Sequence, residues 1–62
     1  MDSLRKKIES KKGKQFYFEY NNKTKVAVLT GLVQRDSKYY YVFNNGEYLI
    51  PITNSITELY EN

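Results

Sequence analysis

The sequence predicts a mostly β protein: an N-terminal α-helix, then a five-stranded, strongly bent antiparallel sheet that closes on itself as a small barrel. Three observations carry this. Apolar residues change from helical spacing to strict alternation at Gln15. Polar turn clusters then separate short runs rich in β-branched and aromatic residues. Gly31 stands in the middle of the longest run, where a strand of a small barrel bends. At 62 residues the chain is one domain, 1–62, with a helix over 3–12 and a barrel over 15–61.

The helix is predicted from both its ends. Asp2 or Ser3 can accept from the orphan N–H groups of the first turn. Leu4 and Ile8, four residues apart, give one narrow apolar stripe. Gly13 suits the left-handed position after the last turn, and lysines there oppose the helix dipole. So narrow a stripe requires the helix to lie on a sheet or fray.

Strand one runs from Gln15 to Tyr20, with Phe16, Phe18 and Tyr20 on one face. Asn21 to Thr24 is a polar turn. Strand two covers Val26 to Arg35. Unbroken alternation puts Val26, Val28, Thr30, Leu32 and Gln34 on one face and Ala27, Leu29, Gly31, Val33 and Arg35 on the other. After a turn at Asp36–Lys38, strand three runs from Tyr39 to Phe43. Asn45-Gly46 predicts a tight hairpin into strand four, Tyr48 to Ile52. Pro51 cannot donate to a ladder and marks an edge, bulge or break there. Asn54-Ser55 leads to a short strand five, Ile56 to Tyr60.

Composition narrows the function. The chain has no Cys and no His, so disulfides are ruled out and zinc, haem and iron–sulfur sites are not expected. The usual general base and thiol nucleophile are missing too, which weighs against an enzyme. No cofactor is expected. No apolar run nears the roughly 20 residues of a membrane span, and the basic N-terminus lacks the apolar stretch of a signal peptide. The chain reads as soluble and cytoplasmic, with no membrane partner. A domain this small usually needs a staple, and self-association is the one left.

The net charge of +3 is uneven: residues 1–14 carry +4 and residues 15–62 carry −1. The basic patch is Arg5, Lys6, Lys7, Lys11, Lys12 and Lys14. It reads either as an attractor of polyanions or as the solvated face of an exposed helix. Seven Tyr and three Phe residues exceed what so small a core needs. Most read as strand packing, and the surplus as rings that stack bases or anchor a partner.

The second half resembles the Sm-like family, its bacterial Hfq-like branch most. Leu29-Thr30-Gly31-Leu32-Val33 looks like that family's strand-two pattern, an aromatic-rich strand three follows, and Thr53-Asn54-Ser55-Ile56 stands where the Hfq-like Lys-His-small-Ile segment falls. From Gly31 to Leu59 the comparison needs no gap. Tyr39 matches the family's base-stacking aromatic. The chain departs from the pattern at Thr53 and Asn54, which replace the Lys–His pair, and at Tyr41, which stands near the family's Asn. The loop after strand one is several residues longer. The resemblance implies a barrel, and a ring in which strand four of one subunit pairs with strand five of the next. It does not imply Hfq-like RNA specificity.

The expected function is therefore non-enzymatic binding of RNA or a small nucleotide by a homo-oligomer. Tyr39 would stack a base, Asn54 read a base edge, Thr53 bond a phosphate or ribose oxygen, and Arg35 and Lys38 hold phosphate. Asn54 reads equally as a turn residue bonding its own backbone. The low charge of the barrel segment points to a small ligand, which raises a variant: a phage-type sponge that sequesters a cyclic nucleotide immune signal. The alternative class is a protein–protein interaction module or inhibitor, with aromatics as anchors and lysines steering an acidic protein partner.

Overall fold

The computed structural model of the chain describes residues 2–60. Its elements are α1 (Asp2–Lys11), β1 (Gln15–Tyr20), β2 (Lys23–Arg35), β3 (Lys38–Phe43), β4 (Tyr48–Pro51) and β5 (Thr57–Glu58). All five strands form one antiparallel sheet in the order β4-β3-β2-β1-β5. Ser3 lies inside α1 rather than capping it, and the side chain of Asp2 lies outside the described residues, as do Met1, Glu61 and Asn62.

α1 is held by its apolar stripe: Ile8 is buried and Leu4 packs beside it. Gly13 ends the helix with φ +87°, the conformation glycine adopts without a Cβ penalty. Its N–H donates to the Leu29 carbonyl (2.8 Å), and the Leu29 N–H donates to the Lys14 carbonyl (3.0 Å). The chain is thus bonded to β2 before β1 begins.

Two hairpins are tight. Tyr20 pairs with Lys23 across Asn21-Asn22, and Arg35 pairs with Lys38 across Asp36-Ser37. All four loop residues have positive φ, the left-handed pair that matches the twist of flanking strands. The strands therefore reach closer to their turns than the polar clusters predict. The β3–β4 connection differs from the predicted two-residue turn at Asn45-Gly46. Phe43 pairs with Tyr48, so four residues intervene, and Asn44, Asn45 and Gly46 all have positive φ. The reason is lateral anchoring. The Val28 N–H donates to Asn44 Oδ1 (3.0 Å) and the Asn45 N–H donates to the Thr30 hydroxyl (3.0 Å), which ties this loop to β2.

β2 also corrects the predicted alternation. Its pairing with β3 steps from Leu29↔Phe43 to Gly31↔Val42, leaving Thr30 as an extra residue, a β-bulge. Before the bulge Ala27 and Leu29 are buried; beyond it Leu32, rather than Gly31 or Val33, packs against the core. One inserted residue reverses which face points inward. The bend is thus made by the bulge. Gly31 has no positive φ, and a Cβ built on it would meet nothing within 4 Å.

The core is Ile8, Phe16, Phe18, Ala27, Leu29, Phe43 and Ile50. Phe43 is at its centre, fully buried, 4.6 Å between ring centroids from Phe18 and 6.0 Å edge-on from Phe16. A bent sheet covers this cluster from one side and α1 closes part of the other.

The predicted closure of the barrel is not met. β4 and β5 lie at opposite edges of an open sheet. β4 has four residues and β5 only two, paired to Phe16 and Tyr17 of β1, which is too little strand for the edges to reach each other. Pro51 does sit on an edge strand, where its missing N–H costs no ladder bond.

Candidate functional site

The turn after β4 separates two hollows. The Asn54 N–H donates to the Pro51 carbonyl (2.9 Å), which turns the chain away from the sheet edge. Just before it, the Ile52 N–H donates to the Tyr39 carbonyl (3.2 Å) and keeps the segment beside β3.

The first hollow, about 460 Å³, is lined by Ser37, Lys38, Tyr39, Tyr40, Pro51, Ile52 and Thr53. Three of the sequence-predicted binding residues, Lys38, Tyr39 and Thr53, meet here. The β2–β3 hairpin brings Lys38 and Tyr39, and the end of β4 brings Thr53. Two tyrosines and a proline supply apolar wall, and Lys38 supplies a cation. Arg35 does not line this hollow; it pairs in register with Lys38 at the hairpin end.

The second hollow, about 300 Å³, lies between α1 and the sheet. Ile8, Phe16, Leu29, Tyr41 and Ile56 form its apolar wall; Lys7, Lys11, Asn54 and Ser55 supply its polar groups. Asn54 thus faces the basic helix and not Tyr39. Lys7 and Lys11 come together because residues four apart share one helix face. That spacing was readable, but which helix face meets the 54–56 segment depends on the path of the chain after β4.

The other basic residues do not gather in one place. Arg5 and Lys12 line a smaller hollow of about 230 Å³ beside Gly31 and Leu32. Lys14 lies with Glu58 and Tyr60 on the β5 side, and Lys6 is exposed without lining any of these hollows. Among the described residues, three of these cations are paired. Lys12 Nζ meets Glu9 at 2.9 Å, Lys11 Nζ meets Glu58 Oε1 at 2.6 Å, and Lys14 Nζ meets Glu58 Oε2 at 3.8 Å. Glu58, which sequence reasoning did not single out, clamps the helix end to β5. Its hydrogen bond with Lys11 raises the lysine's pKa above the ordinary 10.5, against a smaller effect of desolvation and with added attraction from the Glu58 and Tyr60 charges. Lys7 has no ion-pair partner among the described residues.

Two further surfaces are open. β4 turns Ile50 and Ile52 toward β3, so by antiparallel alternation the N–H and C=O of Leu49 face away from the sheet. On the outer side of β1 and β2, Tyr17 and Val26 are cross-strand neighbours, 40% and 55% exposed. Among the described residues no helix is long and apolar enough to cross a membrane.

No protein-family model, curated protein or solved structure matches the chain.

Proposed function

We propose that this chain is a non-enzymatic binding protein for RNA or a small nucleotide, working as a homo-oligomer, with its base-binding position in the Tyr39 hollow. The observation that carries this reading is the meeting of Tyr39, Lys38 and Thr53 around one space of about 460 Å³. A ring for stacking, a cation for phosphate and a hydroxyl for ribose or phosphate oxygen are the groups a nucleotide needs. Self-association is supported by the free β4 edge, whose unpaired backbone groups lie next to this hollow. The Sm-like resemblance agrees with such an assembly, and a sponge for a cyclic nucleotide signal is the small-ligand form of the same reading. Native mass spectrometry of the purified protein tests it. An assembly carrying a nucleotide or RNA fragment is expected, and Tyr39→Ala should lose the ligand. A bare monomer that takes up no nucleotide on addition would overturn the reading.

A second reading, a protein-interaction module, is favoured by the exposed Tyr17–Val26 pair. Pull-down with Tyr17→Ser as the control distinguishes it, since Tyr17 lines neither hollow at the β4 turn.

A further inference from the structure

Thr53 and Asn54 are consecutive, yet they line different hollows. Their Cα atoms are only about 3.8 Å apart, as across any trans peptide. The two hollows therefore adjoin across a single turn. Both have an apolar and aromatic wall, at least one lysine, and a short polar side chain at the turn. The side chains of Thr53, Asn54 and Ser55 make no hydrogen bond to another described residue, so their polar groups are available to a ligand. Each hollow falls toward the lower end of the ~300–1,000 Å³ range of ligand pockets, enough for a base.

Resting on the nucleotide-binding reading above, we infer that the unit recognised is two successive nucleotides, splayed over the Thr53–Asn54 turn with one base in each hollow. Single-stranded nucleic acid permits this, because its bases unstack and can be held apart on aromatic side chains. Tyr39 holds the first base. Phe16 and Tyr41 wall the second, and the Asn54 amide, which both donates and accepts, meets its edge. Lys38 on one side and Lys7 on the other supply positive charge to the sugar–phosphate link crossing the turn. Lys11 is largely neutralised by Glu58, so Lys7 is the more effective cation of the second hollow.

The test is calorimetric titration of the full chain with AMP, UMP and the linear dinucleotides ApA and UpU carrying a 5′-phosphate. A dinucleotide is expected to bind about tenfold or more tighter than the matching mononucleotide, as stacking of one further base allows. Asn54→Ala and Lys7→Ala should bring the dinucleotide to within about twofold of the mononucleotide. Both residues are exposed, and neither belongs to the core. Equal affinity for one and two nucleotides, or a length advantage that survives Asn54→Ala, would overturn the inference while leaving nucleotide binding standing. Failure of every probe would overturn both. Two sources share this chemistry. A ten-residue RNA binding tighter than the linear dinucleotide names RNA, and a cyclic dinucleotide binding tighter than the linear one names a free signal; either keeps the two-base unit.

Discussion

The hydroxyl of Thr30 accepts the backbone N–H of Asn45 at 3.0 Å and, on its other side, donates to the Val42 carbonyl at 3.1 Å. One side chain thereby joins the bulge of β2 to β3 and to the loop that follows it. A bulge leaves backbone groups without ladder partners, and here a side chain takes over part of that role. Thr30→Val keeps the shape and removes both bonds. It should cost about 1–2 kcal/mol, toward the lower figure because the Asn45 group can turn to water. Thr30→Ser should recover most of the loss. Urea denaturation of the three proteins checks this.

Gly31→Ala should be tolerated. A Cβ there meets nothing within 4 Å and the backbone is not left-handed. Stability should stay level or rise by up to about 1 kcal/mol, because alanine restricts the unfolded chain. A loss of more than that in thermal melts would mean the glycine is needed at the bend after all.

The clamp between Lys11 and Glu58 gives an alkaline limit. A lysine whose folded pKa is raised contributes stability that is fully present below its unfolded value and is lost as pH rises through the folded value. The loss should therefore begin above the ordinary lysine value of 10.5. The comparison is with Glu58→Gln, which removes the clamp and leaves Lys11 in place. That variant should melt lower at neutral pH and lack the part of the alkaline decline due to Lys11, as followed by circular dichroism.

Phe43→Ala should remove a large part of the stability and leave the fold marginal or lost. Removing a buried Phe costs about 3–5 kcal/mol, against a total stability of about 3–9 kcal/mol for a chain of this length. Ring contacts with Phe16, Phe18 and Tyr41 are lost together. One-dimensional NMR should show collapsed amide dispersion.

Leu49→Pro should separate assembly from folding. The Leu49 N–H faces away from β3, so proline removes an outward donor without breaking the internal ladder. The variant should remain folded and elute as a smaller species in size-exclusion chromatography. Unchanged elution of an oligomer would exclude the β4 edge as the contact.

Much of the fold was legible in the sequence because its signals are local. Alternation from Phe16 to Tyr20 and the residues of each turn mark the strands, and Gly13 marks the end of the helix. The inward phase of Leu32 was not legible. A bulge at Thr30 depends on the partner strand and on the Asn44–Asn45 loop, and neither leaves a mark in the local alternation of β2. Whether the barrel closes is not legible for a similar reason, since alternation shows that strands exist without showing whether their edges meet. At the candidate site, Tyr39, Lys38 and Thr53 were gathered from sequence, whereas Asn54 belongs with Lys7 across the turn. Adjacent residues in a turn can face opposite ways, and sequence spacing does not encode which.

The strand order carries a consequence for the order of assembly. β1 to β4 form a meander of neighbouring hairpins, whose contacts are close in sequence and form quickly. β5 alone returns from far along the chain to pair Glu58 with Phe16. Closing so long a loop costs more chain entropy than closing any hairpin, and two residues of strand give little in return. β5 is therefore expected to dock last and open first, below the global unfolding free energy, with the Glu58 ion pairs helping to hold it. Ser55 and Ile56, which wall the helix-side hollow, lie on the segment leading into it. Hydrogen exchange at the Leu59 amide, bonded to the Gln15 carbonyl, would time this opening.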